Sequence, residues 1–177
     1  LTLQPFFSGA LVLADALREN TSLVTFTLSA NKIEGRGAQE LAKTIKDNHS
    51  ITKLDMSENA IMDEGAVAFG IALGWNKSLI SLDLSSNKIG DGGVEDLSRS
   101  LQQNTTLQEL SLRNNSMTEP TGELLANCMK ANTTLLHFDV QYNDFNYRHI
   151  VMIEKQIAEN VKKYREAAID RYKKEIE

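Results

Sequence analysis

Six Asn-x-Ser/Thr triplets, at Asn20, Asn48, Asn76, Asn104, Asn114 and Asn132, are the most frequent chemistry-bearing signal in this sequence. In a secreted protein each would be an acceptor for an N-linked glycan. Five of the six stand 28 residues apart, a regularity that glycan addition does not need and a repeating fold does. They read as a helix-ending Asn beside the Ser or Thr that precedes a strand. Asp55, Asp83 and Asp139 also share one phase. Paired carboxylates can do acid–base work, but no nucleophile or pocket accompanies these, and they read as solvated surface or partner contact. His49, His137 and His149 have no second His or Cys at a metal-ligand spacing. Gly90, Gly92 and Gly93 lack the Lys-Ser/Thr that a phosphate loop requires. Cys128 is alone and cannot form an internal disulfide, which favours a reducing compartment, and it reads as a small residue on a helix flank. The residues thus point to no catalytic group, no metal site, no cofactor and no small-molecule substrate.

The elements that would position these residues follow from the repeat. Leu23, Ile51, Leu79, Leu107 and Leu135 recur every 28 residues. In phase with them run Phe26, Leu54, Leu82, Leu110 and Phe138, and then Leu28, Met56, Leu84, Leu112 and Val140. An Asn closes each segment, at Asn31, Asn59, Asn87, Asn115 and Asn143, followed by Ile33, Ile61, Ile89, Met117 and Phe145. The unit is L-x-x-L-x-L-x-x-N. Its alternation predicts a short strand with one buried face. The Asn sits where the chain turns inward, and its amide can serve buried backbone groups as a ladder between repeats. These five Asn residues are therefore expected to be buried. The second half of each unit has helical spacing, as in Ala38, Leu41, Ala42 and Ile45, or Ala66, Phe69, Gly70 and Leu73. Small residues in this set are expected to let the helix lie close to the sheet. The closing Asn, which recurs at Asn160, suits a helix C-terminus because Asn tolerates the left-handed conformation.

This pattern resembles the ribonuclease-inhibitor-like class of leucine-rich repeats. The resemblance covers residues 21–160 as five units, and Gly9, Ala10, Leu13 and Leu17 look like the helical half of a sixth. It implies an α/β solenoid with a parallel sheet on the concave side and helices outside. The expected organisation is a solenoid over residues 1–160, with a partial repeat at 1–20, and a charged C-terminal helix over 161–177. The class includes inhibitors, GTPase activators, actin-filament caps, immune receptors and ciliary scaffolds, so fold alone leaves function open.

Composition narrows the choice. The chain has 177 residues, of which 41% are hydrophobic and 24% charged, as expected for one globular domain. A formal charge of −5 argues against a nucleic-acid surface. No apolar run is long enough to span a bilayer, and no secretory signal is visible. The expected setting is intracellular and cytoplasmic, and the expected partners are other proteins.

Three surfaces stand out as partner sites. By alternation, the third, fifth and seventh residues of each strand unit face the concave side. Early units show small polar residues there, while the last two carry Glu109, Arg113 and His137, with Tyr142 just beyond. Arg and Tyr are favoured anchors. On the convex side, one helix places Val67, Ile71 and Trp75 where its neighbours place Gln39, Lys43 and Asp47, or Glu95, Arg99 and Gln103. All three apolar side chains are expected to be exposed and to form a contact patch, unless Trp75 folds back near Ile80. After Asn160 the helical pattern continues through Val161, Tyr164, Ala168 and Tyr172, and Val161–Glu177 carries six basic and four acidic residues. A helix from about Arg148 onward should cap the solenoid with its first half and project a docking stripe with its second. The preferred function is a non-enzymatic interaction scaffold in a cytoskeletal or ciliary assembly. The alternative is a GTPase-activating protein resembling the Ran-directed members, with Arg36 in a strand-to-helix loop.

Overall fold

The computed structural model describes residues 5–176, with side chains from Gly9 onward. Helices and strands alternate: α1 (Pro5–Glu19), β1 (Thr25–Thr27), α2 (Gly35–Asp47), β2 (Lys53–Asp55), α3 (Met62–Trp75), β3 (Ser81–Asp83), α4 (Glu95–Leu101), β4 (Glu109–Ser111), α5 (Glu119–Met129), β5 (His137–Asp139) and α6 (Tyr147–Ile176). The five strands form one parallel sheet in chain order. Residues 28 apart are direct partners, as in Phe26 beside Leu54 and Leu54 beside Leu82. The chain is thus an α/β leucine-rich-repeat solenoid with a helical C-terminal extension. One continuous core runs between sheet and helices, filled by the apolar phases of every unit.

Each strand is only three residues long because the backbone turns soon after it. Ala30, Glu58, Ser86, Asn114 and Tyr142, one per unit, hold φ between 53° and 59°. Asn114, the one triplet out of phase with the other five, sits at this left-handed position, which Asn tolerates well. The next residue is the ladder Asn. Asn59 shows what it does: its Oδ1 accepts the N–H groups of Asn31 (3.1 Å) and Ile33 (2.8 Å), and its Nδ2 donates to Leu28 O and Met56 O, both at 2.9 Å. The amide therefore ties its own unit to the backbone of the preceding one rather than to another Asn side chain. This corrects the expectation of uniform burial. Asn59 and Asn87 are buried, but Asn115 and Asn143 are half-buried and Asn31 is exposed. Among the described residues no strand precedes β1 for Asn31 to serve, and its Nδ2 donates to Ser29 O.

The closing Asn residues form a second ladder, and it is more buried than the first. Asn48, Asn76, Asn104, Asn132 and Asn160 are all buried. Asn76 Oδ1 accepts the N–H groups of Ser78 (2.9 Å) and Leu79 (2.7 Å), while its Nδ2 donates to Ile45 O (2.7 Å) and Asn48 O (3.0 Å) one unit back. The hydroxyl of the triplet joins in: Ser78 Oγ donates to Asn48 O, and Thr134 Oγ1 donates to Asn104 O. The expected left-handed conformation is not what selects Asn here. Asn48 and Asn76 are extended, at φ −78° and −64°. The carboxamide is needed because the chain leaves each helix with two N–H groups and a neighbouring carbonyl to satisfy.

A third ladder had no counterpart in the sequence reading. Asp63, Asp91 and Glu119, again 28 apart, each accept a backbone N–H from the following unit: Gly90 (2.6 Å), Thr118 (2.8 Å) and Asn146 (2.7 Å). The glycine cluster is part of it. A Cβ on Gly92 would meet Asp63 Oδ2 at 2.8 Å, so the cluster makes room for a carboxylate rather than a phosphate.

Two further expectations change. Gly70 is small for the sake of the next helix rather than the sheet: its missing Cβ would lie 2.5 Å from the backbone nitrogen of Leu97. The first half of α6 is not a cap. Tyr147 falls at the phase of Gly35 and Asn160 at that of Asn48, so this half is the fifth unit's own helix, packed on α5 and β5. The helix simply fails to stop there. Asn160 Oδ1 accepts Gln156 Nε2 instead of the following N–H groups, and the chain continues helically to Ile176. Thirty residues at about 1.5 Å each make α6 about 45 Å long.

Candidate interaction surfaces

The convex patch lies on α3, beside α2. Ile71 is 50% exposed and Trp75 67%, but Val67 is half-buried, against the expectation that all three would be exposed. The reason is local: Val67, Ala68, Ile71 and Ala72 form one wall of a groove of about 350 Å³, and Gln39, Lys43 and Lys46 of α2 form the other. The Trp75 ring receives Lys46 Nζ at 5.0 Å, a cation–π contact across the two helices. The result is an apolar groove with Lys43, Lys46 and Glu64 on its rim.

At the C-terminal end of the concave face the four expected residues fall into two pairs. Glu109 and His137 are register partners on β4 and β5. Arg113 and Tyr142 lie beyond the strand ends, with the guanidinium 4.1 Å over the Tyr142 ring. Arg113 also donates to Gln141 Oε1 (2.9 Å) and pairs with Asp139 Oδ2 (3.2 Å). Arg113, Asp139, Gln141 and Tyr142 therefore form a pre-set cluster, with Tyr142 68% exposed. Sequence reading placed Asp139 with the acidic rungs and missed that one of its oxygens, Oδ2, pairs with Arg113.

On the tail, Tyr164 and Tyr172 are exposed and Ala168 is half-buried, all on the continuous helix α6. Ile169 and Ile176, both exposed, widen the same apolar face. Their spacing from Tyr172, three and four residues, was the available signal.

The junction of α5 and α6 holds the most concentrated polar chemistry. Glu119 accepts from Asn146 N–H, lies 3.0 Å from His149 Nε2 and pairs with Arg148 at 2.9 Å. His149 is buried, edge-on to Phe145, and its Nδ1 has no partner among the described residues. The backbone bond from Asn146, then the bond to His149, hold the Glu119 carboxyl below its ordinary value. A depressed carboxylate contributes stability that is present above the unfolded value of 4.5 and lost as pH falls through the lower folded value. Carbon-detected NMR titration should therefore give Glu119 a midpoint below 4.5, and Glu119→Gln should remove the acid-induced loosening of the first turn of α6. A Glu119 midpoint at or above the free value would refute the role of these bonds. Asp91 is similar in kind. Partial burial raises its pKa, and the bonds from Thr118 and Thr121 outweigh this and lower it. Burial pushes the Cys128 thiol up to about 12, so it is a poor nucleophile and packs as a small apolar residue. Arg36, expected in a loop, is instead in the first turn of α2, pointing into solvent.

Among the described residues no group of His, Cys, Asp and Glu could hold a metal ion, and no helix is long and apolar enough to cross a membrane. Two solved structures are similar over nearly their whole length. One is described as leiomodin-1 actin-binding site 2, with 21% identity, a TM-score of 0.81, and coverage of 97% of this chain and 99% of that one. The other is a tropomodulin C-terminal domain from Caenorhabditis elegans, with 18% identity, a TM-score of 0.78, and coverage of 93% and 98%. No curated protein sequence matches the chain. A general leucine-rich-repeat pattern matches residues 19–42. The pattern of the TMOD/LMOD leucine-rich domain matches residues 37–162, from the start of α2 into α6, and the chain therefore belongs to that family.

Proposed function

We propose that this chain is a non-enzymatic actin-binding module of the cytoskeleton. One observation carries the reading: the family match extends through the repeats into α6, and a solved domain of the same shape over its full length is described as an actin-binding site. The actin cytoskeleton, rather than the cilium, is the assembly this favours, and an intracellular, cytoplasmic setting follows from it. Nucleic acid and small substrates have no place in the proposal. The GTPase-activator reading rested on a loop arginine, and Arg36 is helical.

Recognition is assigned to the convex patch of Ile71 and Trp75, with Val67 in the groove wall beside them, and to the α6 stripe of Tyr164, Ala168 and Tyr172. The Arg113–Tyr142 cluster, with Glu109 and His137 on the strands below, supplies a third contact. These surfaces combine exposed aromatic anchors with fixed charged neighbours, the composition that carries binding energy at interfaces. The tail from Val161 onward acts in this scheme as a distinct functional unit, although the helix itself is continuous.

Co-sedimentation with actin filaments, together with binding to labelled actin monomer, tests the proposal. Wild type is expected to bind at least one form. The triple variant Val67→Gln, Ile71→Lys, Trp75→Asp and the pair Tyr164→Ala, Tyr172→Ala should each weaken binding by roughly thirtyfold, the loss of about one aromatic anchor. The tail pair should melt within about 1 kcal/mol of wild type, as surface changes do; the triple variant will lose somewhat more because Val67 is half-buried. Failure of wild type to bind either form of actin sinks the actin reading. Full binding by both variants leaves actin in place and removes these surfaces from it.

A further inference from the structure

Every inner strand of the sheet spends the same three backbone groups on the strand that follows it. In β3 and the residues flanking it, Ile80 O accepts from Gln108 and Glu109, Leu84 N–H donates to Ser111 O at 2.9 Å, and Ser86 N–H donates to Arg113 O at 2.9 Å. In β4 the groups are Gln108 O, Leu112 N–H and Asn114 N–H, all paired with the β5 segment. The equivalents in β5 are Leu136 O, Val140 N–H and Tyr142 N–H. No strand follows them, because the chain that would form it is the continuing helix α6. Among the described residues these three groups have no partner.

Beside this open edge runs a groove of about 280 Å³, walled by β5 on one side and α6 on the other. Phe138, Ile150, Ile153 and Ile157 supply its apolar surface, and Asp139 and Glu154 its charged rim. Glu154 stands at the phase where inner helices carry a small residue, Ala42, Gly70, Ser98 or Ala126. A sixth helix could not pack as closely there as the inner ones do. An extended segment alone needs no such approach.

We propose that the β5 edge accepts an extended peptide segment of a partner protein as a sixth strand. Its backbone pairs with Leu136, Val140 and Tyr142, its apolar residues enter the groove at every second position, and its basic residues meet Asp139 and Glu154. Strand addition of this kind takes affinity from main-chain bonds and specificity from the alternating pockets. The unpaired groups favour a strand over a helix, because a helix satisfies its own backbone and would leave all three unsatisfied. The proposal is independent of the actin reading.

The test uses the whole chain and a synthetic peptide copying residues 105–116, with Ser111→Lys to face Asp139. This is the strand chemistry that β5 already accepts on its inner edge. Binding should slow hydrogen exchange of the Val140 and Tyr142 amides by about tenfold or more and shift the methyl signals of Ile150 and Ile157. The same peptide methylated at the backbone nitrogens of its Gln108 and Glu109 positions should bind about tenfold more weakly, the loss of one or two hydrogen bonds. Ala158→Trp, an exposed position at the groove, should keep the fold and abolish the protection. Absence of peptide binding overturns the proposal. So does binding that leaves the two amides unprotected, as a docked helix would, or that ignores the backbone methylation or the Ala158→Trp block.

Discussion

Asn76→Ala should destabilise the protein by about 2–5 kcal/mol, while Asn31→Ala should stay within about 0.5 kcal/mol of wild type. Both residues are asparagines in repeat positions of one chain, so the comparison isolates what the amide does. Removing the Asn76 side chain strands the N–H groups of Ser78 and Leu79, whose bonds to Oδ1 are 2.9 and 2.7 Å, in a buried turn. A buried donor left unpaired costs about 1–3 kcal/mol. Ile45 O and Asn48 O lose less, because the first still accepts Asn48 N–H and the second still accepts Ser78 Oγ. Asn31 is exposed, and its one side-chain bond among the described residues, to Ser29 O, has water as a ready substitute. Urea unfolding with both variants decides it. Wild-type midpoints in both variants would show that the ladder is ornamental; a loss at Asn31 as large as at Asn76 would show that the stability comes from something other than pairing of the buried Ser78 and Leu79 N–H groups. The same bonds make glycan addition at Asn76 incompatible with the native fold, since its Nδ2 already donates twice inside it.

Gly70→Ala should lower stability by about 1–3 kcal/mol, against the direction of helix propensity. Alanine in a helix interior is favoured over glycine by about 1 kcal/mol. The added Cβ, however, would lie 2.5 Å from Leu97 N and 2.7 Å from the carbonyl carbon of Asp96, and backbone cannot swing aside as a side-chain tip can. α3 and α4 would have to separate, opening the core around Phe69 and Leu97, both fully buried. Gly9 in α1 is the control: a Cβ there meets nothing within 4 Å, so Gly9→Ala should stabilise by up to about 1 kcal/mol. Gly74 is intermediate, with only Ser100 Oγ at 3.2 Å, a side-chain tip that can shift only by straining its 2.6 Å bond to Gly70 O. Thermal melting of the three variants should rank them Gly9→Ala above Gly74→Ala above Gly70→Ala. A Gly70→Ala protein as stable as Gly9→Ala would mean the helices slide apart at no cost, and the close approach would not be holding this end of the core together.

The repeat itself was legible in the residues. A 28-residue period in which L-x-x-L-x-L-x-x-N recurs without insertion leaves little choice of fold: strand, turn and helix each take the same place in every unit, and parallel register follows because residue n must lie beside residue n + 28. The two Asn phases, the inward helical positions, the exposed Trp75 and the long final helix could all be read from spacing, since each depends on the unit's own sequence. What the spacing could not show is which members of a phase are buried. Asn31 and Asn87 have the same phase and opposite exposure: a ladder amide serves the preceding strand, and among the described residues none precedes β1. Val67 is half-buried by the α2 wall opposite it, a fact about α2 rather than about Val67. The carboxylate ladder of Asp63, Asp91 and Glu119 mixes two residue types and so escaped a search for identical letters, although one physical role, accepting an N–H 27 residues on, unites them. The open edge of β5 was hidden for the same reason: whether Val140 N–H finds a partner depends on the presence of a following strand. In a solenoid the unit's own sequence determines local geometry, and only the neighbours in three dimensions decide which groups that geometry buries, pairs or leaves open.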